Sequence, residues 1–180
     1  MFKKIIIVLV VLISIPLLVA LFVKNEYVVE RDIIIERPVT EVFSYLKFLK
    51  NQDNFSKWAS MDPDMKKSSR GIDGTVGYVS AWESDDENVG TGEQEITGIK
   101  ENERIDYEIR FKEPFSSVSP AYILTRENPN SSTRVTWGFS GKMDYPTNLM
   151  FLFMDFEEMI GEDLETGLGN LKNELEGGNL

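Results

Sequence analysis

The hydrophobic pattern opens with an unbroken run. Ile5 to Val23 carries no charge, and only Ser14, Pro16 and Ala20 depart from Ile, Val, Leu and Phe. As a helix this run would extend about 28 Å, close to the roughly 30 Å of a bilayer's hydrocarbon layer. A cleaved secretory signal has a shorter apolar core, about 7–15 residues, and ends in a small-x-small site. The neighbours of Ala20 are instead the bulky Val19, Leu21, Phe22 and Val23. A buried core helix would not be apolar around its whole circumference. The run therefore predicts an uncleaved, single-pass membrane helix over residues 5–23, with Pro16 tolerated as a kink. Lys3 and Lys4 precede it, and Lys24 is followed two residues on by Glu26. The positive-inside rule then expects a cytoplasmic N-terminus and a domain on the outer face.

Beyond the linker the pattern changes to short alternations. Val29, Ile33 and Ile35 share one face of an expected strand over 27–37, opposite Glu30, Asp32 and Glu36, with Arg31 and Ile34 as exceptions. Pro38 opens a helix whose apolar face is Val39, Val42, Phe43, Leu46 and Leu49, and Phe55 with Trp58 marks a second helical turn. Residues 61–74 are polar and read as a loop. Strands are expected over 75–83 (Val76, Tyr78 and Trp82 on one face), 89–100, 104–111 and 117–126. A last strand places Val135, Trp137 and Phe139 together. Residues 104–111 alternate strictly, Ile105, Tyr107, Ile109 and Phe111 against Arg104, Asp106, Glu108 and Arg110. A stripe from Leu149 through Phe153, Phe156, Ile160, Leu164, Leu168 and Leu171 to Leu175 predicts one long helix over 147–176. Strands joined by short turns and followed by a long helix predict an α+β antiparallel sheet with that helix across it. The organisation expected is an anchor and linker at 1–26, one domain at 27–176 and a tail at 177–180.

Composition narrows the chemistry. The net charge of −11 disfavours nucleic acid and anionic membrane surfaces as electrostatic partners. The chain has no Cys and no His, so it has no disulfide, no lipoprotein cysteine, no thiol nucleophile, no Ser-His pair and no zinc site of the usual N/S type. Acid–base work would fall to carboxylates, Tyr or Lys. Asp62-Pro63-Asp64 and Asp85-Asp86-Glu87 are acidic, but neither has the spacing of a calcium loop and both read as solvated turns. Gly90-Thr91-Gly92 precedes a strand rather than a helix and reads as a bulge, not a phosphate loop. No metal and no cofactor is expected.

Several segments together resemble the SRPBCC (START/Bet v 1-like) superfamily, in particular its polyketide cyclase/dehydrase-like branch. They are Glu36-Arg37-Pro38-Val39-Thr40-Glu41-Val42-Phe43, Trp58 with Met61-Asp62-Pro63-Asp64-Met65-Lys66, Gly90-Thr91-Gly92, Thr133-Arg134-Val135-Thr136-Trp137, and Met159-Ile160-Gly161-Glu162-Asp163 leading to Gly167-Leu168-Gly169-Asn170-Leu171-Lys172. The resemblance covers nearly all of 27–176 in the family's order and is similar to membrane-anchored members with a leading hydrophobic helix. It implies a helix-grip fold, a curved antiparallel sheet wrapped around the C-terminal helix and enclosing an apolar cavity. Members include ligand carriers, lipid binders and cyclases, and no shared catalytic motif carries over.

The cavity implied would be lined by Trp58, Tyr78, Trp82, Tyr107, Phe111, Tyr122, Trp137, Phe139 and Met154, with Met150 and Met159 also expected to face inward. Aromatic and methionine side chains with a few hydroxyls suit a small hydrophobic ligand, although any one of them also serves as plain core packing. Three functions follow as expectations: a membrane-tethered carrier of a hydrophobic or lipid-like molecule, a cyclase- or dehydrase-type enzyme using Tyr and carboxylates in the same cavity, or a non-catalytic module that meets a membrane-protein partner through Phe151–Met154.

Overall fold

The computed structural model of the chain describes residues 2–177. Helix α1 (Phe2–Ala20) runs unbroken through Pro16. It stops three residues short of the end of the apolar run, where Leu21 and Phe22 leave it through turns closed on Leu18 and Val19. Among the described residues it is the one helix long and apolar enough to cross a membrane, a test that a signal sequence also passes. From Lys3 to Val19 its side chains are exposed apart from a half-buried Ser14, and Ala20 is buried.

The remainder is α+β, as the periodicity predicts, in the helix-grip arrangement that the resemblance implies. In chain order it comprises β1 (Glu26–Ile35), α2 (Val39–Leu46), α3 (Gln52–Phe55), α4 (Lys57–Met61), β2 (Lys66–Arg70), β3 (Val79–Glu83), β4 (Thr91–Lys100), β5 (Arg104–Glu113), β6 (Ser117–Glu127), β7 (Thr133–Lys142) and α5 (Phe156–Gly177). All strand pairs are antiparallel, in the order β1-β7-β6-β5-β4-β3-β2. Alternation selects the faces: Val29, Ile105, Tyr107, Ile123, Val135 and Trp137 turn inward, where α2, α3 and α5 cover them. On α5 the inward stripe is Leu164, Leu168, Leu171 and Leu175, none more than 1% exposed, each contributing about 1.5–3 kcal/mol by burial. Helix and sheet meet closely at Gly167, where a Cβ would lie 2.8 Å from the Trp137 ring.

Three elements differ from the sequence pattern. Residues 66–70, read as loop, form edge strand β2: Lys-Lys-Ser-Ser-Arg has no apolar face because every residue is exposed, and pairing with β3 holds it. The strand expected from residue 75 begins only at Val79. Gly77 at φ +89° breaks the extended chain, leaving Val76 exposed rather than beside Tyr78. The long helix expected over 147–176 is divided. Thr147–Leu152 forms a 3-10 turn, and α5 starts at Phe156. Asp155 provides the cause, since its Oδ1 accepts the Glu158 N–H at 3.0 Å and caps the new helix. Leu149 and Phe153 keep the spacing of the stripe without belonging to it. Of the tail expected at 177–180, Gly177 closes α5 and the rest lies outside the described residues.

The register defines two ends of the sheet. β1 starts beside the end of β7, with Glu26 opposite Lys142, so this end adjoins α1. The β5–β6, β3–β4 and α4–β2 loops fall at the same end. Helix α5 begins there, with Glu157 paired to Lys24, and finishes at the far end, where Glu176 accepts the Glu36 N–H at 2.7 Å.

The convex face is polar and cross-linked. Glu93 accepts from Arg110 at 2.7 Å and from Arg70 and Lys112 at 3.3 Å. Arg70 first, then Arg110, hold its carboxyl at about 2, against an ordinary 4.5. A carboxyl acidified by folding stabilises the native state fully above its ordinary value and loses that contribution as the pH falls toward the folded one. Urea midpoints should therefore drop as pH falls from 4.5 to about 2, and the drop should be shallower in Glu93→Gln.

Candidate functional site

A single helix cannot cover this sheet. The principal contacts of α5 are with β1, α3 and α4, with a lighter one to β7. Far from α1, α2 and α3 close the inner face over Ile96, Ile105 and Tyr107. At the end near α1, no helix among the described residues makes a principal contact with β3, β4 or β5. There Trp82, Gln94, Ile109 and Phe111 are only half-buried.

The residues expected to line a cavity divide accordingly. Tyr107, Trp137, Tyr78 and Phe139 lie in the buried core. Trp58 and Phe55 both meet the Trp137 ring edge-on, with centroids 6.3 and 5.6 Å away. Trp82 and Phe111 form an edge-to-face pair at 6.2 Å on the uncovered area. Trp82 Nε1 donates to the Val89 carbonyl at 3.2 Å, which fixes the ring over β4. A Cβ at Gly92 would stand 2.6 Å from this ring, so glycine is what lets the indole lie flat on the strand. The register shift at Thr91/Gly92 is the irregularity that the Gly-Thr-Gly sequence predicts.

Four expected inward residues point elsewhere. Tyr122 lies on the convex face, where alternation puts it out of phase with Ala121 and Ile123. Its hydroxyl donates to Glu30, its ring carries the Arg104 guanidinium at 4.2 Å, and burial followed by Glu30 pushes its pKa up to about 12. Met150 and Met154 are exposed ahead of α5, which does not begin until Phe156, and Met159 is exposed on α5 itself, off its buried stripe. Met154 lines a cleft of about 390 Å³ near α1, with Lys24, Phe151, Phe153 and Phe156.

Several residues that the sequence did not single out complete the inner face. Tyr27 joins Phe139 to Phe151 and Phe156, with centroid separations of 5.6–6.2 Å. Its place in the alternation Tyr27, Val29, Arg31, Ile33 was the available signal. Arg31 also faces inward, beneath α5, with Nε 2.6 Å from Glu165 Oε1 and Nη2 3.5 Å from Glu158. The Tyr107 hydroxyl and Gln52 Nε2 are buried without a hydrogen-bond partner. Burial raises the Tyr107 pKa, so the hydroxyl stays protonated and available as a donor. The acidic turns around Asp62 and Asp85 come together, Ser84 Oγ donating to Asp62, along an open cleft of about 470 Å³ that also includes Lys66 and Glu83.

Residues 27–176 match the family model described as "Polyketide cyclase / dehydrase and lipid transport". No curated protein matches the sequence. Among solved structures, the fold is similar to the Aha1 dimer from Colwellia psychrerythraea (TM-score 0.59, 15% identity, covering 86% of this chain and 99% of that one). It is also similar to Ara h 8.0201 (0.57, 10%, 86% and 100%). The di-domain ARO/CYC BexL from the BE-7585A biosynthetic pathway matches over half its own length (0.59, 13%, 84% and 50%). At these identities the likeness is one of fold.

A variant tests the geometry of the uncovered area. Gly92→Ala should cost about 1–3 kcal/mol of unfolding free energy by overpacking against Trp82. The cost should shrink in a Trp82→Leu background, as a double-mutant cycle of urea midpoints reads directly.

Proposed function

The chain belongs to the polyketide cyclase / dehydrase and lipid transport family, and from that premise we propose that it is a membrane-tethered binding protein for a small hydrophobic or lipid-like molecule. The observation that carries this is the Trp82–Phe111 pair, aromatic and half-buried on strands with which no helix makes a principal contact. Aromatic surface of this kind offers a large apolar contact area, and a few polar groups then orient what binds. Tyr107 and Gln52, buried farther along the same inner face under α2 and α3, hold the unmet hydrogen-bonding capacity that a ligand entering past the pair would meet. Helix α1 is the tether. Lys3 and Lys4 ahead of it favour a cytoplasmic N-terminus, which puts the domain on the outer face.

Binding is favoured over cyclase or dehydrase chemistry by the ionisable groups. Among the described residues no carboxylate is buried, and Tyr107 is held protonated, a donor rather than a base. The inner-face Arg31 is committed to Glu158 and Glu165.

Native mass spectrometry of the detergent-purified full-length protein, with extraction of what co-purifies, tests the proposal. An apolar adduct is expected on the wild type. Tyr107→Phe should lose little stability, since the hydroxyl makes no full hydrogen bond within the protein, yet retain the adduct several-fold less well. A wild-type protein that carries nothing, and takes up neither added fatty acid nor added phosphatidylcholine, contradicts it.

A further inference from the structure

Exposed apolar side chains gather at the end of the domain next to α1, and their placement has a geometric origin. Asn148, buried in the 3-10 turn, donates through Nδ2 to the carbonyls of Ala20 at 2.8 Å and Val23 at 3.0 Å. These bonds satisfy carbonyls at the C-terminus of α1 and tie residues 147–152 to the point where that helix stops. The segment held there exposes Leu152 at 54% and Phe153 at 84%. Phe22, just past the helix, is 88% exposed. At the same end of the sheet the β5–β6 loop adds Phe115 at 80% exposed, and Val118, at the start of β6, is 58% exposed.

The length of α1 says what covers this surface. From Ile5 to its end at Ala20 the apolar helix extends only about 24 Å, less than the roughly 30 Å hydrocarbon layer. A short span is accommodated by drawing flanking residues into the membrane or thinning the bilayer, at a cost that rises with each ångström of mismatch. The flanking residues here are apolar, and Asn148 fastens the domain's own apolar turn to them. The net charge of −11 removes attraction to anionic headgroups and leaves apolar insertion as the driving term, suited to a zwitterionic surface.

We propose that Phe22, Phe115, Val118, Leu152 and Phe153 form a bilayer-docking surface, seating the domain's α1-side end in the lipid interface so that the uncovered Trp82–Phe111 area opens toward the membrane. This rests on the tether reading of α1 and adds to it an orientation: a domain on a tether alone would tumble in water, whereas a docked one exchanges an apolar ligand with the bilayer directly. The seat also joins the ends of α1 and β1 to the loops that surround Trp82, so docking and ligand exchange share one surface.

The absence of cysteine gives a clean labelling background. Single variants Leu12→Cys, Phe115→Cys, Phe153→Cys and Ile72→Cys of the full chain, each carrying an NBD fluorophore, are reconstituted in phosphatidylcholine nanodiscs containing nitroxide-labelled lipid. Ile72 is the control, 75% exposed in the β2–β3 loop at the opposite end of the sheet. Quenching at 115 and 153 should exceed that at 72 several-fold, with position 12 quenched strongly. If 12 is quenched while 115 and 153 match 72, docking is overturned and the tether stands. If 12 is unquenched, the tether reading fails; docking then fails with it unless 115 and 153 are quenched on their own.

Discussion

One helix must close a sheet too wide for it, and most of the architecture follows from that mismatch. Seven strands about 4.8 Å apart span roughly 29 Å, while a helix with its side chains is about 10–12 Å across. The leucine stripe of α5 can be buried along only one line, and it is buried beside β1, with Gly167 letting the helix approach Trp137 closely. The short helices α2 and α3 cover the far end, anchored to α5 by the Asn170–Phe55 hydrogen bond at 3.2 Å. The inner face of β3–β5 near α1 is what remains. The half-buried state of Trp82 and Phe111 is thus a consequence of coverage, not of a defect in packing.

Elements whose buried face repeats with a regular period were legible in the sequence. Ile105-Asp106-Tyr107-Glu108 alternates because one side of β5 is core and the other is water, and Leu164, Leu168, Leu171 and Leu175 repeat because they meet one surface. Periodicity fails where nothing is buried, as in β2, whose five exposed residues are held by backbone pairing with β3 and by surface ion pairs. It also misleads where a cap overrides it: Leu149 and Phe153 continue the spacing of α5, yet Asp155 starts the helix afresh. The spacing Asp155-x-x-Glu158 was the sequence signal for that start.

The candidate site was legible in its composition but not in its arrangement. Alternation brings Trp82, Tyr107, Phe111, Trp137 and Phe139 to the inner face, and the strand register and the position of α5 decide which of them stay uncovered. Tyr122 shows the limit of judging residue type alone, since one step of phase sends it to the convex face and into an ion pair network. Gln52 carried no periodic signal, because a short helical turn buries its amide through tertiary contact only. The Gln52 and Tyr107 groups and the aromatic pair belong to one inner face, the polar groups under its covered half and the pair on the half left open.

Trp82 and Trp137 lie on that inner face and Trp58, on α4, meets the Trp137 ring, so all three tryptophans report on it without added labels elsewhere. The most direct test is fluorine NMR of the full-length protein, labelled with 5-fluorotryptophan in nanodiscs and titrated with the neutral apolar probe N-phenyl-1-naphthylamine. The account predicts saturable shifts of the Trp82 resonance, with Trp58 following. Three resonances that stay fixed while the probe partitions into the bilayer would contradict it.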